Sequence, residues 1–171
     1  MARRVFFSFH YQNDIYRVNQ IRNSNVVNGT SAAGFHDASL WEKVKKEGDQ
    51  AIKNLIDRGL RNTSVTAVLI GSHTAERKYV DYEIQQSIAR GNGLLVIYIH
   101  RLKDSNRRES VRGRVPNLLL DKGYSVYHWD RNQLKFWIET AHKNARSNQI
   151  LKQKSIFLRI FNAVMFGGNA S

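Results

Sequence analysis

Hydrophobic residues along this chain gather into five short runs, at positions 4–9, 32–36, 65–70, 94–99 and 124–128. The clearest, VTAVLI at 65–70, is apolar or β-branched at every position, as suits a strand buried on both faces. Gly71 and Ser72 interrupt it, and the period then changes. Val80, Ile84 and Ile88 recur four apart and would face a sheet from a helix, while Tyr79 and Glu83, also four apart, occupy an adjoining face. This helix is predicted over 74–90, with Thr74 as its N-cap, Glu76 in its first turn and Gly91 beyond its end. Further helices are predicted at 14–23 (Ile15, Val18, Ile21), at 41–58 (Val44, Ala51, Leu55, Ile56, with Gly59 past its end) and at 132–145. Strands alternating with helices predict an α/β protein: a flavodoxin-like, three-layer fold with a five-stranded parallel sheet of order 2-1-3-4-5 and helices on both faces. Residues 104–116 are polar, basic and aperiodic, and read as a loop.

The last stretch differs in kind. Ile150, Leu151, Phe157, Phe161, Val164 and Met165 follow helical spacing, and Lys152, Lys154 and Arg159 fall elsewhere on the wheel. The chain therefore divides into a domain over 1–146 and a basic amphipathic helix and tail over 147–171. Such a helix more often packs on its own domain or on a second copy; a membrane surface is the other outcome. No stretch is long and apolar enough to span a bilayer. The opening MARRVFFSFHYQ is basic for a few residues, but its apolar run is too short for a secretory signal.

Composition adds two constraints. The 171 residues include no cysteine, which removes disulfides, thiol nucleophiles and zinc ribbons and suits a reducing, cytoplasmic setting. The net charge of +13 favours anionic partners: nucleic acid, acidic lipid or a phosphate-bearing small molecule. Clusters at 101–114 and 143–159 carry much of it. No recognition helix, RNP or zinc motif accompanies the charge, so nucleic acid is not the expected partner. The phosphate loops G-x-x-x-x-G-K-[ST] and G-x-G-x-x-G are absent, and Ser8, Ser39 and Ser72 lack the G-x-S-x-G elbow of serine hydrolases.

An open parallel sheet binds ligands beyond the carboxyl ends of its strands. His10, His36, His73, His100 and His128 all fall at those predicted ends. His36, His10 and His73 would be neighbours in the expected strand order, able to meet phosphate or ribose or to move protons. His100 and His128 read as polar residues resuming after a strand. No two histidines have local metal-ligand spacing, so no metal is expected. Phe9 and Tyr11 flank His10 and could stack on a nucleobase or nicotinamide. Asp37 could hold a sugar or organise the turn into the next helix, and Trp41 could wall a pocket or fill the core.

These features together resemble the TIR-domain family. RVFFSFHYQND resembles its first strand and following loop, Asp37 falls where the family ends its second strand on an acid, and EGDQAIKNLIDRGLRNTSVTAVLIGSHTAERKYVDYEI resembles its helix, buried strand, Ser-rich turn and glutamate-bearing helix. VFFSFHYQ, SAAG, DASLWE, NTSVTAVLIGS and the YEI around Glu83 resemble, more closely, the TIR-like proteins of bacterial Thoeris anti-phage defence. The resemblance covers roughly residues 3–100. It departs from the family in having Tyr79-Val80 where Trp-Cys is usual.

The resemblance implies an enzyme, an NAD nucleosidase (NADase) or ADP-ribosyl cyclase. Such an enzyme cleaves the nicotinamide–ribose bond of NAD as a substrate, with no held cofactor. Glu83 would be catalytic. Substrate-binding positions would be Ser8, Phe9, His10, Tyr11, Asp37, Trp41, Ser72, His73 and Tyr79. Hydrolysis would give ADP-ribose; internal attack would give a cyclic ADP-ribose isomer, and a conjugate is the remaining product. The product would be a second messenger made on a phage-derived trigger and read by a separate effector, with self-assembly on activation. The alternative is a non-catalytic TIR-like adaptor acting through protein–protein contacts.

Overall fold

A computed structural model of the chain describes residues 3–24 and 38–166, with side chains described over 3–24 and 43–160. Four strands, β1 (Val5–Ser8), β2 (Val65–Ile70), β3 (Gly93–Tyr98) and β4 (Val126–His128), form a parallel sheet in that order. The registers pair Val5 with Val65, Val65 with Gly93 and Val96 with Val126. The strand expected at 32–36 lies outside the described residues, as do His36 and Asp37. The described sheet is thus four-stranded, and its order is that expected of the remaining four strands.

Helices cover both faces. Val5, Phe7, Val65, Ala67, Leu69, Leu95 and Ile97 point to one side. There they pack with Val18 and Ile21 of α1 (Tyr11–Arg22) and Leu134, Ile138 and Ala141 of α6 (Leu134–Phe166). Val68, Ile70, Val96 and Tyr98 point to the other. They meet Val80 and Ile84 of α4 (Lys78–Ala89) and Leu119 of the short α5 (Asn117–Leu120). Phe6 shares that second face with Val44 of α2 (Ala38–Glu47) and Ile52, Ile56 and Leu60 of α3 (Asp49–Leu60). Strand alternation therefore builds two cores from one sheet.

Several expected boundaries move, each for a local reason. The helix expected over 41–58 is two helices, broken at Gly48, whose φ of 99° is left-handed and favours glycine. Gly59 lies inside α3 and does not end it. Thr74 does not cap the helix that carries Glu83. It opens a 3-10 turn, Thr74–Glu76, and its hydroxyl accepts from the Gly71 amide at 2.9 Å and donates to the Leu69 carbonyl at 3.3 Å. The cap of α4 is Arg77. The helix expected at 132–145 does not stop there: α6 continues through residue 146 to Phe166.

Residues 101–116 stay irregular but are tied down. The buried Arg17 guanidinium donates to the carbonyls of Leu102 at 2.8 Å and Arg108 at 3.1 Å, and pairs with Asp14 at 3.3 Å. Gly113 presses on Gly71, where a Cβ would collide with the Gly71 carbonyl. A Cβ on Gly71 would in turn collide with the Asp14 carboxylate.

Candidate active site

Ser8 is the last residue of β1 and shares the parity of Phe6, so its side chain points to the face that α4 covers. The buried stripe of α4 is Val80, Glu83, Ile84 and Ser87, two apolar and two polar residues on one face. A hydroxyl from the sheet meets each polar one. Ser8 Oγ donates to Glu83 Oε2 at 2.6 Å, and Thr66 Oγ1 lies 2.7 Å from Ser87 Oγ. Ser87 also donates back to the Glu83 carbonyl at 2.6 Å.

Glu83 is 4 % exposed. Burial pushes its carboxyl up from 4.5 to about 8, against the opposing hydrogen bond from Ser8. Glu83 is not a surface carboxylate, and Arg90, about two turns further on at the end of α4, pairs with Asp57 at 3.0 Å. A buried acid with one hydroxyl partner costs stability, and such groups concentrate at functional sites.

Glu83 opens onto a cavity of about 200 Å³ at the carboxyl edge of β1. Phe9, His10, Tyr11 and Gln12 line one side; Arg77, Tyr79 and Val80 line the α4 side, and Lys45 of α2 completes the wall. The floor is acidic and the rim carries two cations. The His10 ring is held neutral: burial first, then Arg77 and His73, lower its pKa from 6.5 to about 4. Its Nδ1 has no hydrogen-bond partner among the described residues. Tyr79 turns its hydroxyl away, donating to Asp49 at 2.9 Å, and leaves its ring on the wall.

Of the residues expected at the site, Phe9, His10, Tyr11, Tyr79 and Glu83 meet around this cavity, and Ser8 supports Glu83 from behind. Ser72 and His73 do not line it. Ser72 accepts from Asn13 at 3.1 Å, and His73 is mostly exposed and 3.3 Å from Glu76. Trp41 belongs to α2, but its side chain, like all of Asp37, lies outside the described residues. Gln12, Lys45, Arg77 and Val80 were not anticipated. Lys45 had a signal, being one helical turn after Trp41; Arg77, in the link before α4, had none. His100 and His128 stand apart, 5.7 Å from one another beside Tyr98 at the ends of β3 and β4.

The parallel sheet with helices on both faces, and the acid at its carboxyl edge, define a TIR-like α/β domain. A family model described as the Thoeris protein ThsB, TIR-like domain, matches residues 6–104. A Bacillus cereus (strain MSX-D12) protein named "Putative cyclic ADP-D-ribose synthase ThsB1" is 49% identical over 145 residues, spanning 84% of this chain and 74% of that protein. The chain belongs to the ThsB TIR-like family of Thoeris proteins.

Proposed function

We propose that this protein cleaves the nicotinamide–ribose bond of NAD and closes the remaining ADP-ribose into a cyclic isomer, a second messenger in anti-phage defence. The observation that carries the reading is the buried Glu83 carboxyl at the floor of an aromatic cavity with a cationic rim. The name of the Bacillus cereus relative supports the same product class.

Nicotinamide leaves as a neutral base because the pyridinium it departs from is already cationic; the electron pair of the broken C–N bond goes with it. No acid is needed. What needs stabilising is the oxocarbenium-like ribose, and an adjacent carboxylate does that. Glu83 is protonated in the free protein near neutrality. Arrival of a cationic nicotinamide ribose favours its carboxylate form, so substrate binding itself charges the site. Tyr11 and Tyr79 offer ring surface to nicotinamide, Phe9 backs the wall from the core, and neutral His10 offers an acceptor to a ribose hydroxyl or to the proton freed on ring closure. Arg77 and Lys45 suit the pyrophosphate. The cavity is smaller than the ~300 Å³ at which complete small-molecule sites begin. The adenylate end therefore extends past the rim, toward the α2 side or a second copy.

The test is mass spectrometry of small molecules after incubating NAD with purified protein and with lysate of phage-infected expressing cells, wild type beside Glu83→Gln. A cyclic ADP-ribose isomer with wild type alone is expected. NAD unchanged in every sample, infected lysate included, would reject the synthase in favour of a non-catalytic adaptor.

A further inference from the structure

We infer that the distal half of α6 is a docking surface for an anionic lipid bilayer, lying flat on it with the domain on the side away from the lipid.

α6 has 33 residues and is about 50 Å long. Only its first half packs on the sheet, through Leu134, Ile138 and Ala141. Every described side chain from Arg146 to Ile160 is exposed. Among them Ile150 is 44 % exposed, Leu151 64 %, Leu158 59 % and Ile160 59 %. Large apolar side chains in this number on one projecting helix call for a cover.

The wheel says where that cover lies. Successive helical residues turn by roughly 100°. On that spacing Ile150, Leu151 and Leu158 fall on the half of the helix opposite Leu134, Ile138 and Ala141. Ile156 and Ile160 are the exceptions. The distal apolar face is thus no continuation of the core stripe, and the chain's own sheet cannot cover it.

Charge decides between the remaining covers. No Asp or Glu follows Glu139, whereas Lys143, Arg146, Lys152, Lys154 and Arg159 all do. Lys154 falls in the middle of the apolar half, with Arg146 and Lys143 on the same side about two and three turns earlier. A second copy of this helix would bring these cations together with no acid to answer them, and would bury Lys154 dry. At a bilayer the lysine stem stays among the apolar groups while its ammonium reaches headgroup phosphate. No described helix is long and apolar enough to cross a membrane. A helix lying in the interface plane meets all of these conditions.

The test is co-sedimentation of the full chain with vesicles of phosphatidylcholine alone and of phosphatidylcholine mixed with phosphatidylserine. Binding is expected to the mixed vesicles alone and to weaken as salt rises. The double variant Leu151→Glu/Leu158→Glu should lose about tenfold or more in affinity. Lys154→Gln, which leaves the apolar residues in place, should lose roughly fivefold. Circular dichroism checks that both variants keep their helix content. Absence of binding, equal binding to neutral vesicles, or a lipid-free dimer that the double variant dissociates would each overturn the inference.

Discussion

Glu83 and Ser8 form the contact on which the proposed chemistry turns. Because the Glu83 carboxyl is held near 8, the free protein carries little of the required carboxylate at neutral pH. The kcat/KM for NAD should therefore climb with pH and level off above about 8, while kcat, reported by the complex, should level off at lower pH. Ser8→Ala removes the one hydrogen bond that lowers this pKa. Its kcat/KM profile should move to higher pH; a profile unmoved would separate Ser8 from the titrating group. The same proton affects folding. The folded chain keeps a proton near pH 7 that an unfolded Glu83, at 4.5, has released. Stability from this group is complete below about 4.5 and is lost as pH rises through 8. Glu83→Gln removes that loss, so its Tm should exceed that of wild type by several degrees near pH 8 and by much less near pH 5, read by thermal melts.

Among the elements, α4 and the 101–116 segment owe their positions to polar contacts inside an otherwise apolar packing. α4 is aligned by Ser8 on Glu83 and Thr66 on Ser87, and by Val80 and Ile84 in the core. Ile84 is fully buried, and Ile84→Ala should cost about 2–5 kcal/mol in chemical denaturation. The basic segment is tethered by Arg17, with Gln20 on the Lys103 carbonyl at 2.7 Å and Arg112 on the Tyr98 hydroxyl at 3.0 Å as further ties. Arg17 bonds the Leu102 and Arg108 carbonyls and sits against the buried Asp14, whose pKa burial raises despite the adjacent guanidinium. Arg17→Ala strands Asp14 and releases the segment. It should cost about 3–5 kcal/mol and expose Arg107, Arg108, Arg112 and Arg114 to trypsin under native conditions. Unchanged proteolysis would mean that the Gln20, Arg112 and Gly71–Gly113 contacts hold the segment without Arg17.

For the whole molecule, +13 on 171 residues sets the long-range field. On the proposed function and the proposed lipid docking, that field would draw an anionic dinucleotide toward the carboxyl edge and the far helix toward anionic lipid. It also repels itself. Tm should rise as ionic strength is raised from a low value, because screening relieves repulsion among surface cations more than it weakens buried contacts. A Tm that falls with salt would mean that surface pairs such as Arg3–Glu139 outweigh the repulsion.

Periodicity alone was enough for the parallel α/β architecture and the order of the four described strands, because a strand buried on both faces must be continuously apolar and right-handed crossovers leave few topologies. It was also enough to put Glu83 on a helix beyond the VTAVLI strand. It misjudged which way that glutamate faces. Spacing set Glu83 beside the buried stripe, whereas α4 buries it, because Ser8, 75 positions away, supplies the hydroxyl that makes burial tolerable. No local pattern carries a contact at that separation. The break at Gly48 could have been read from its glycine, but the 3-10 turn at Thr74 could not, because it arises where the hydroxyl reaches back to close the end of β2. The helical spacing of 147–171 was visible along the chain. That Ile150, Leu151 and Leu158 face away from the protein's own core was decided only when Leu134, Ile138 and Ala141 docked on the sheet and fixed the rotation of the described helix after them.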